Sequence, residues 1–146
     1  MFIKGNELIN ITESNVRFSE VDSMNVVWHG NYVKYLEDGR ESFGREFELG
    51  YYDVYKHGLM IPIVKLDINY KQQTRYEERI IIETKFVDTD AAKIIFDYKI
   101  YKKSDHRIVL TARSIQVFIN KDGILELTNP EFYMAWKHKM GLIKES

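Results

Sequence analysis

The second half of the chain alternates hydrophobic and polar residues with a period of two, which is the repeat of side chains along a β-strand. The alternation covers four segments separated by polar turns, at residues 62–70, 79–87, 93–101 and 107–120. Residues 9–18 alternate less regularly, and we expect them to form a strand that precedes the other four. The pattern therefore predicts five strands.

From Tyr32 onward the hydrophobic spacing changes to that of an α-helix. One helical face carries residues at steps of three and four, namely Tyr32, Leu36, Gly39, Phe43 and Phe47. A helix of about 18 residues, ending near Gly50, is about 27 Å long, and five strands make a sheet about 24 Å wide. One helix can therefore cover one face of the sheet, which predicts an α+β domain. Gly39 on the apolar face indicates a close approach of the helix to the sheet.

Two further patterns extend this architecture. Asn129 and Pro130 are typical of a helix start, with Asn129 as the N-cap and Pro130 at the first helical position, and they predict a short helix to about Met140. The second face of the sheet also carries hydrophobic residues, namely Ile81, Ile95, Ile115 and Val117. Exposed apolar surface of this kind is typical of interfaces, so it predicts association with a second subunit.

Composition narrows the class of protein. We interpret residues 1–146 as a single domain, and the hydrophobic share of 45% excludes a disordered chain. The net charge of −1 gives no indication of nucleic-acid binding. The chain has no cysteine, and its four histidines are too scattered to indicate a metal site. The N-terminus lacks the apolar core of a signal peptide, and no apolar run approaches about 18 residues. We therefore expect no membrane span and a cytoplasmic location.

The segment from Asp22 to the start of the helix carries the candidate chemistry. An aspartate before a helix is usually a turn or cap residue, and Asn25, which tolerates positive φ, favours a turn. Asp22 is too far upstream, however, to cap a helix that begins near His29. A helix N-terminus offers free backbone N–H groups and a positive dipole end, so a carboxylate that faces it is suited to acyl transfer. From these residues alone, both interpretations stay open.

Residues 22–32, DSMNVVWHGNY, resemble the Asp-Ala-x-Gly-x-Val-x-x-x-x-Tyr signature of the hotdog-fold acyl-CoA thioesterases, in particular the 4-hydroxybenzoyl-CoA thioesterase family. The resemblance spans about residues 10 to 125. It implies a hotdog fold, in which an antiparallel five-stranded sheet wraps around one long helix, followed here by the predicted C-terminal helix. It also implies hydrolysis of an acyl-CoA or acyl carrier protein thioester by a homodimer or homotetramer. No cofactor or metal is implied, since CoA is part of the substrate.

The resemblance assigns catalytic roles to two residues. Asp22 matches the carboxylate that acts as a nucleophile or as a general base on water. His29 matches the position whose backbone N–H polarises the thioester carbonyl, so its imidazole need not be essential. The chain departs from the signature at Ser23 and Asn25, where Ala and Gly are usual. Asn can replace Gly where φ is positive, so we expect the loop to be retained.

Four other residues match substrate-binding positions. Asn31 and Tyr32 match residues that shape the helix entrance. Lys71 and Arg75 occupy the loop region where such proteins contact the nucleotide or the phosphates of CoA, although solvated loop charge is the alternative interpretation.

Two other functions remain as alternatives. The first is a hotdog protein that binds acyl-CoA or acyl carrier protein without hydrolysing it, which the intact Asp22 disfavours. The second is a dehydratase or hydratase acting on a β-hydroxyacyl thioester, which needs a catalytic histidine paired with an acidic residue from a partner. His57 is the candidate histidine, and its surroundings, YKHGLMIP, show little of that motif.

Overall fold

The computed structural model describes residues 7–143. Along this part of the chain the strands and helices are β1 (Ile9–Asn15), α1 (Tyr32–Phe47), α2 (Tyr51–Tyr55), β2 (Leu59–Met60), β3 (Ile63–Tyr70), β4 (Arg79–Val87), β5 (Lys93–Lys102), β6 (Ile108–Val117), β7 (Ile119–Asn120) and α3 (Glu131–Lys139). Two single 3-10 turns, Phe18–Glu20 and His29–Asn31, lie between β1 and α1.

Five strands form one antiparallel sheet in the order β1-β4-β5-β6-β3. The register aligns fully buried residues across its centre, because Ile82 pairs with Ile100 and Ile100 pairs with Leu110. The predicted antiparallel five-stranded sheet, long helix and short C-terminal helix are therefore confirmed. β2 and β7 form a separate two-stranded ribbon, which the sequence pattern did not predict.

Helix α1 packs on the sheet through the apolar face predicted from its spacing. Leu36 and Phe43 on this face are fully buried. A Cβ atom on Gly39 would lie 2.5 Å from Thr84 Oγ1 and 2.9 Å from Ile82 Cγ2, which confirms the predicted close approach of helix and sheet. The helix ends earlier than expected, because Glu48 adopts a left-handed conformation with φ of 59°.

Three details of the strands differ from the prediction. The segment 107–120 is not one strand, since it is divided at the buried Phe118 into β6 and β7. A β-bulge between Ile63 and Lys65 turns Val64 outward, where it is 59% exposed, although Leu66 and Ile68 keep their inward face. On the second face of the sheet, Ile81, Ile95 and Ile115 are half-buried as expected, whereas Val117 is buried.

The C-terminal helix starts differently from the prediction. Pro130, not Asn129, is the N-cap of α3. The Asn129 side chain instead donates from Nδ2 to the carbonyl of Asp90, 3.0 Å away, because the turn between β4 and β5 lies against this segment. Trp136 donates from Nε1 to the carbonyl of Phe47 at 2.7 Å, so α3 is joined to the end of α1. None of the helices within residues 7–143 has the length and hydrophobicity needed to cross a bilayer.

Candidate active site

Asp22 lies at the corner of a short hairpin in which Val21 pairs with Val27. Its Oδ1 accepts the backbone N–H of Met24 at 2.8 Å, and its carbonyl accepts the N–H of Asn25 at 3.0 Å. Asn25 has φ of 62°, the conformation expected where the signature has Gly. The interpretation of Asp22 as a turn residue is therefore correct. The side chain is nevertheless exposed, and its Oδ2 accepts no hydrogen bond within residues 7–143.

The helix entrance presents two backbone donors. The 3-10 turn His29–Asn31 leads directly into α1, as the position of the predicted helix start requires. Among the described residues, the N–H groups of His29 and Gly30 have no acceptor, as is usual in the first turn of a helix. A Cβ atom on Gly30 would lie 2.0 Å from Trp28 Cζ3, so only glycine leaves room for the Trp28 ring at this entrance.

Asn31 and Tyr32 connect this entrance to its neighbours. Asn31 donates from Nδ2 to the carbonyl of Glu20 at 3.0 Å. The Tyr32 hydroxyl bonds Thr74 Oγ1 at 3.1 Å and accepts the N–H of Thr74 at 3.3 Å, and both residues are buried. The start of α1 is thus fixed to the Asp22 segment on one side and to the loop after β3 on the other.

The loop of residues 71–78 runs beside the Asp22 hairpin. Arg75 forms an antiparallel backbone bridge with Val26, and the N–H of Tyr76 donates to Asn25 Oδ1 at 3.3 Å. Lys71 follows Tyr70, whose hydroxyl donates to the carbonyl of His29 at 3.4 Å. The side chains of Lys71 and Arg75 are exposed and form no ion pair within the described part of the chain. The six predicted site residues are therefore found in adjoining segments.

Glu20 lies next to these segments, and the sequence did not indicate it as a candidate. It is 9% exposed, and its Oε1 accepts the hydroxyl of Tyr35 at 2.9 Å and the N–H of Arg17 at 2.7 Å. The pKa of the Tyr35 phenol is raised, mainly by burial and to a smaller extent by the hydrogen bond to Glu20. An acidic residue is rarely buried, and nothing in the local sequence indicates that a tyrosine of α1 donates a hydrogen bond to this one.

A cleft of about 690 Å³ lies along the second half of α1, between that helix, α2 and the sheet. Ile61, Ile94 and Phe96 contribute its apolar wall. None of the six predicted site residues lines it. Arg40, at its edge, donates from Nη1 to the hydroxyl of the buried Tyr98 at 3.1 Å.

His57 lies outside the group of site residues. Its ring stacks on Phe132 with the centroids 4.4 Å apart. Within residues 7–143, no group of acidic and histidine residues could hold a metal ion.

A family model described as "Thioesterase-like superfamily" matches residues 16–136 of the chain. The protein belongs to the thioesterase-like superfamily. The matched range contains all six predicted site residues, from Asp22 to Arg75.

Relatives and solved structures agree with this membership. The chain is 27% identical over 124 residues to "Putative acyl-CoA thioesterase YneP" of Bacillus subtilis (strain 168), covering 85% of this chain and 89% of that protein. It is 26% identical over 117 residues to "Acyl-acyl carrier protein thioesterase ATL3, chloroplastic" of Arabidopsis thaliana, covering 80% of this chain and 62% of that protein.

The structural likeness confirms the predicted hotdog fold of this thioesterase-like protein. A DHNA-CoA thioesterase from Staphylococcus aureus superposes with a TM-score of 0.78 at 25% identity, covering 90% of this chain and 87% of the other. The 4-hydroxybenzoyl CoA thioesterase from Pseudomonas sp. strain CBS-3 superposes with a TM-score of 0.77 at 20% identity, covering 88% and 98%. The family model that matches residues 16–136 confirms the predicted family, and the roles of individual residues stay predictions.

Proposed function

We propose that this protein hydrolyses acyl thioesters, with the carboxylate of Asp22 and the backbone N–H groups at the start of α1 as the reactive groups. The observation that carries the proposal is that adjoining segments hold an exposed Asp22 Oδ2 without a hydrogen-bond donor and two backbone N–H groups without an acceptor, those of His29 and Gly30. Membership of the thioesterase-like superfamily and the names of the relatives support the same reaction.

In the proposed mechanism the thioester carbonyl oxygen lies at the helix entrance. The amide of His29 donates to this oxygen and stabilises the negative charge that develops there, a contribution of about 3–4 kcal/mol by analogy with other oxyanion donors. The dipole of α1 acts in the same direction. Because the donor is a peptide group, the imidazole of His29 takes no part.

Two routes are open for Asp22. As a nucleophile, its Oδ2 bonds to the carbonyl carbon while the C–S bond breaks, which gives a mixed anhydride and a thiolate; water then hydrolyses the anhydride. As a general base, it takes a proton from water, whose oxygen attacks the carbonyl carbon, and the thiol leaves with a proton. Both routes give a free acid and a free thiol without a cofactor.

The carrier portion of the substrate is proposed to lie along residues 71–78. The exposed and unpaired side chains of Lys71 and Arg75 are suited to phosphate groups. Since the named relatives include an acyl-CoA and an acyl carrier protein thioesterase, a phosphopantetheine thioester is the chemistry common to both.

We also propose that the functional form is a homodimer or a homotetramer. Large apolar side chains around the Asp22 hairpin are exposed in the single chain: Phe18 by 75%, Met24 by 71% and Trp28 by 54%. Such a patch is typical of an interface or of a ligand site. The half-buried residues on the second face of the sheet supply further apolar surface.

One observation favours the alternative of a binding protein without turnover. Oδ1 of Asp22 already accepts the N–H of Met24, so the carboxylate serves the turn whether or not it takes part in chemistry. Hydrolysis and simple binding therefore have to be separated by experiment.

The test is release of free thiol from a panel of short, long and aromatic acyl-CoAs by the native protein and by Asp22→Asn. Asparagine keeps the Oδ1 that accepts the Met24 N–H, so the turn is preserved while the negative charge is lost. We expect kcat to fall by at least about 100-fold, with a near-native circular dichroism spectrum. Equal rates in the two proteins would show that Asp22 serves only the turn and takes no part in hydrolysis. Binding of acyl-CoA without release of thiol would favour the binding protein.

A further inference from the structure

We propose that Glu20 is a positioning residue for this site, and that its hydrogen bond with Tyr35 holds the Asp22 hairpin in register with the helix entrance. The inference rests on the proposed function. Glu20 lies two residues before Asp22, and Tyr35 lies on α1, three residues after Tyr32.

The side chain of Glu20 is fixed inside the protein. Oε1 accepts two hydrogen bonds, from the Tyr35 hydroxyl at 2.9 Å and from the Arg17 N–H at 2.7 Å. Glu20 is only 9% exposed and Tyr35 only 1%. A carboxylate taken out of water needs donors of this kind, and hydrogen bonds to an ionised acceptor are the stronger ones.

The backbone of Glu20 is fixed to the helix entrance. Its carbonyl accepts the N–H of Trp28 at 3.1 Å and the Nδ2 of Asn31 at 3.0 Å. Glu20 is thus bonded through its side chain to the body of α1 and through its carbonyl to both sides of the turn at His29–Asn31. These contacts set the distance between the carboxylate of Asp22 and the amides at the start of the helix.

Glu20 is not itself placed as the reacting carboxylate. It is buried, and its Oε1 is already occupied by two donors. It acts through Asp22 and the helix entrance, whose relative position matters because a displacement of about 1 Å at a reacting group can lower a rate by about 100-fold.

The experiment compares Tyr35→Phe with Tyr133→Phe as a matched control. Tyr133 lies on α3 and is also fully buried. Its hydroxyl donates to the carbonyl of Lys93 at 3.2 Å, and neither residue belongs to the Asp22 segment. Each variant loses one buried hydroxyl and keeps its ring. We expect Tyr35→Phe to lower kcat for acyl-CoA by about 10- to 100-fold with KM changed less than about twofold. We expect Tyr133→Phe to keep the native kcat at a comparable loss of stability.

Conservative and non-conservative substitutions of Glu20 provide a second test. Glu20→Gln keeps Oε1, the oxygen that accepts both bonds, so we expect kcat within about threefold of native. Glu20→Leu removes the acceptor of both bonds, so it should lose at least as much activity as Tyr35→Phe, which removes only one of them. The double variant Glu20→Leu/Tyr35→Phe should be no worse than Glu20→Leu, because the bond that Tyr35→Phe removes is already absent there.

Amide hydrogen exchange without substrate gives a readout that does not depend on catalysis. We expect the Trp28 N–H to exchange faster in Tyr35→Phe and at the native rate in Tyr133→Phe. Equal kcat and equal exchange in the two variants would overturn the inference, even if Asp22→Asn proved inactive. If the native protein released no thiol from any substrate, the proposed function would fail, and the exchange rates would still decide whether Tyr35 holds the hairpin.

Discussion

The ring of Trp28 lies directly over Gly30, so that a Cβ atom on Gly30 would come within 2.0 Å of Trp28 Cζ3. Both residues belong to the entrance of α1, where the N–H of Gly30 is one of the two free donors. The contact explains why glycine occupies a position whose backbone does not itself require it.

Gly30→Ala is therefore expected to displace the Trp28 ring and disturb the helix entrance. We expect kcat for acyl-CoA hydrolysis to fall by at least about 10-fold, because the amides proposed as oxyanion donors move with the backbone. The control is the pair Trp28→Ala and Trp28→Ala/Gly30→Ala, which should have equal rates once the ring is gone. Native activity in Gly30→Ala would show that the ring swings into solvent without consequence.

Gly39→Ala is expected to destabilise the protein, although alanine normally favours a helix interior by about 1 kcal/mol. The new Cβ atom would lie 2.5 Å from Thr84 Oγ1 and 2.9 Å from Ile82 Cγ2. Overpacking of this kind costs about 1–3 kcal/mol. The free energy of unfolding, from urea denaturation, measures the effect. Adding Thr84→Ala removes one of the two contacts and should restore part of the loss, whereas a stabilised Gly39→Ala would contradict the close approach.

Arg75→Ala tests the proposed carrier contact. The side chain is exposed, so we expect a loss of about 1 kcal/mol in binding, which raises KM for acyl-CoA about fivefold. The same acyl group on pantetheine, which lacks the nucleotide and its phosphates, should show no change. Lys99→Ala, which removes an exposed cation of β5, serves as the control for general charge effects. An equal rise in KM for both thioesters would place Arg75 outside the carrier site.

Buried tyrosines predict a loss of stability at alkaline pH. Burial raises the pKa of Tyr133 in the folded protein. The unfolded chain titrates this phenol near its ordinary pKa of about 10. Above that pH the phenol is deprotonated in the unfolded state but still protonated in the folded state. The free energy of unfolding therefore falls as the pH rises, by about 1.4 kcal/mol per pH unit for one tyrosine.

Urea denaturation at pH 9 and pH 11 measures this slope. Tyr133→Phe should reduce it, while Tyr52→Phe, at a position 81% exposed, should leave it unchanged. Tyr35 and Tyr98, whose pKa values are also raised by burial, keep part of the slope in either variant. A slope that is identical in Tyr133→Phe and the native protein would contradict the burial of this phenol.

The sequence predicted the fold well because its hydrophobic periods are set by burial. Ile82, Ile100 and Leu110 occupy inward positions of strands with a period of two, and the structure places them in one fully buried row. Features that depend on a single irregular residue were not predictable. At the bulge and at the division of β6 from β7 the hydrophobic residues are consecutive, Ile63-Val64 and Val117-Phe118-Ile119, so the period of two does not show which of them points inward.

The candidate site was predicted in part for a similar reason. The signature from Asp22 to Tyr32 is contiguous in sequence, and its turn and helix start lie where expected. The position of Glu20 depends on Tyr35, a partner 15 residues along the chain. The start of α3 was mispredicted for the same reason, because Asn129 donates to Asp90, which lies in another turn. Such pairs are visible only after the strands and helices have been placed in space.

The backbone bridge between Val26 and Arg75 joins the Asp22 hairpin to the loop of residues 71–78, so the two segments are expected to move together. A graft of residues 71–78 from a relative, made to alter carrier preference, is expected also to move the Asp22 carboxylate, because the N–H of Val27 donates to the carbonyl of Thr74 in that loop at 2.8 Å. Engineering of this enzyme should therefore exchange the Asp22 hairpin and residues 71–78 together.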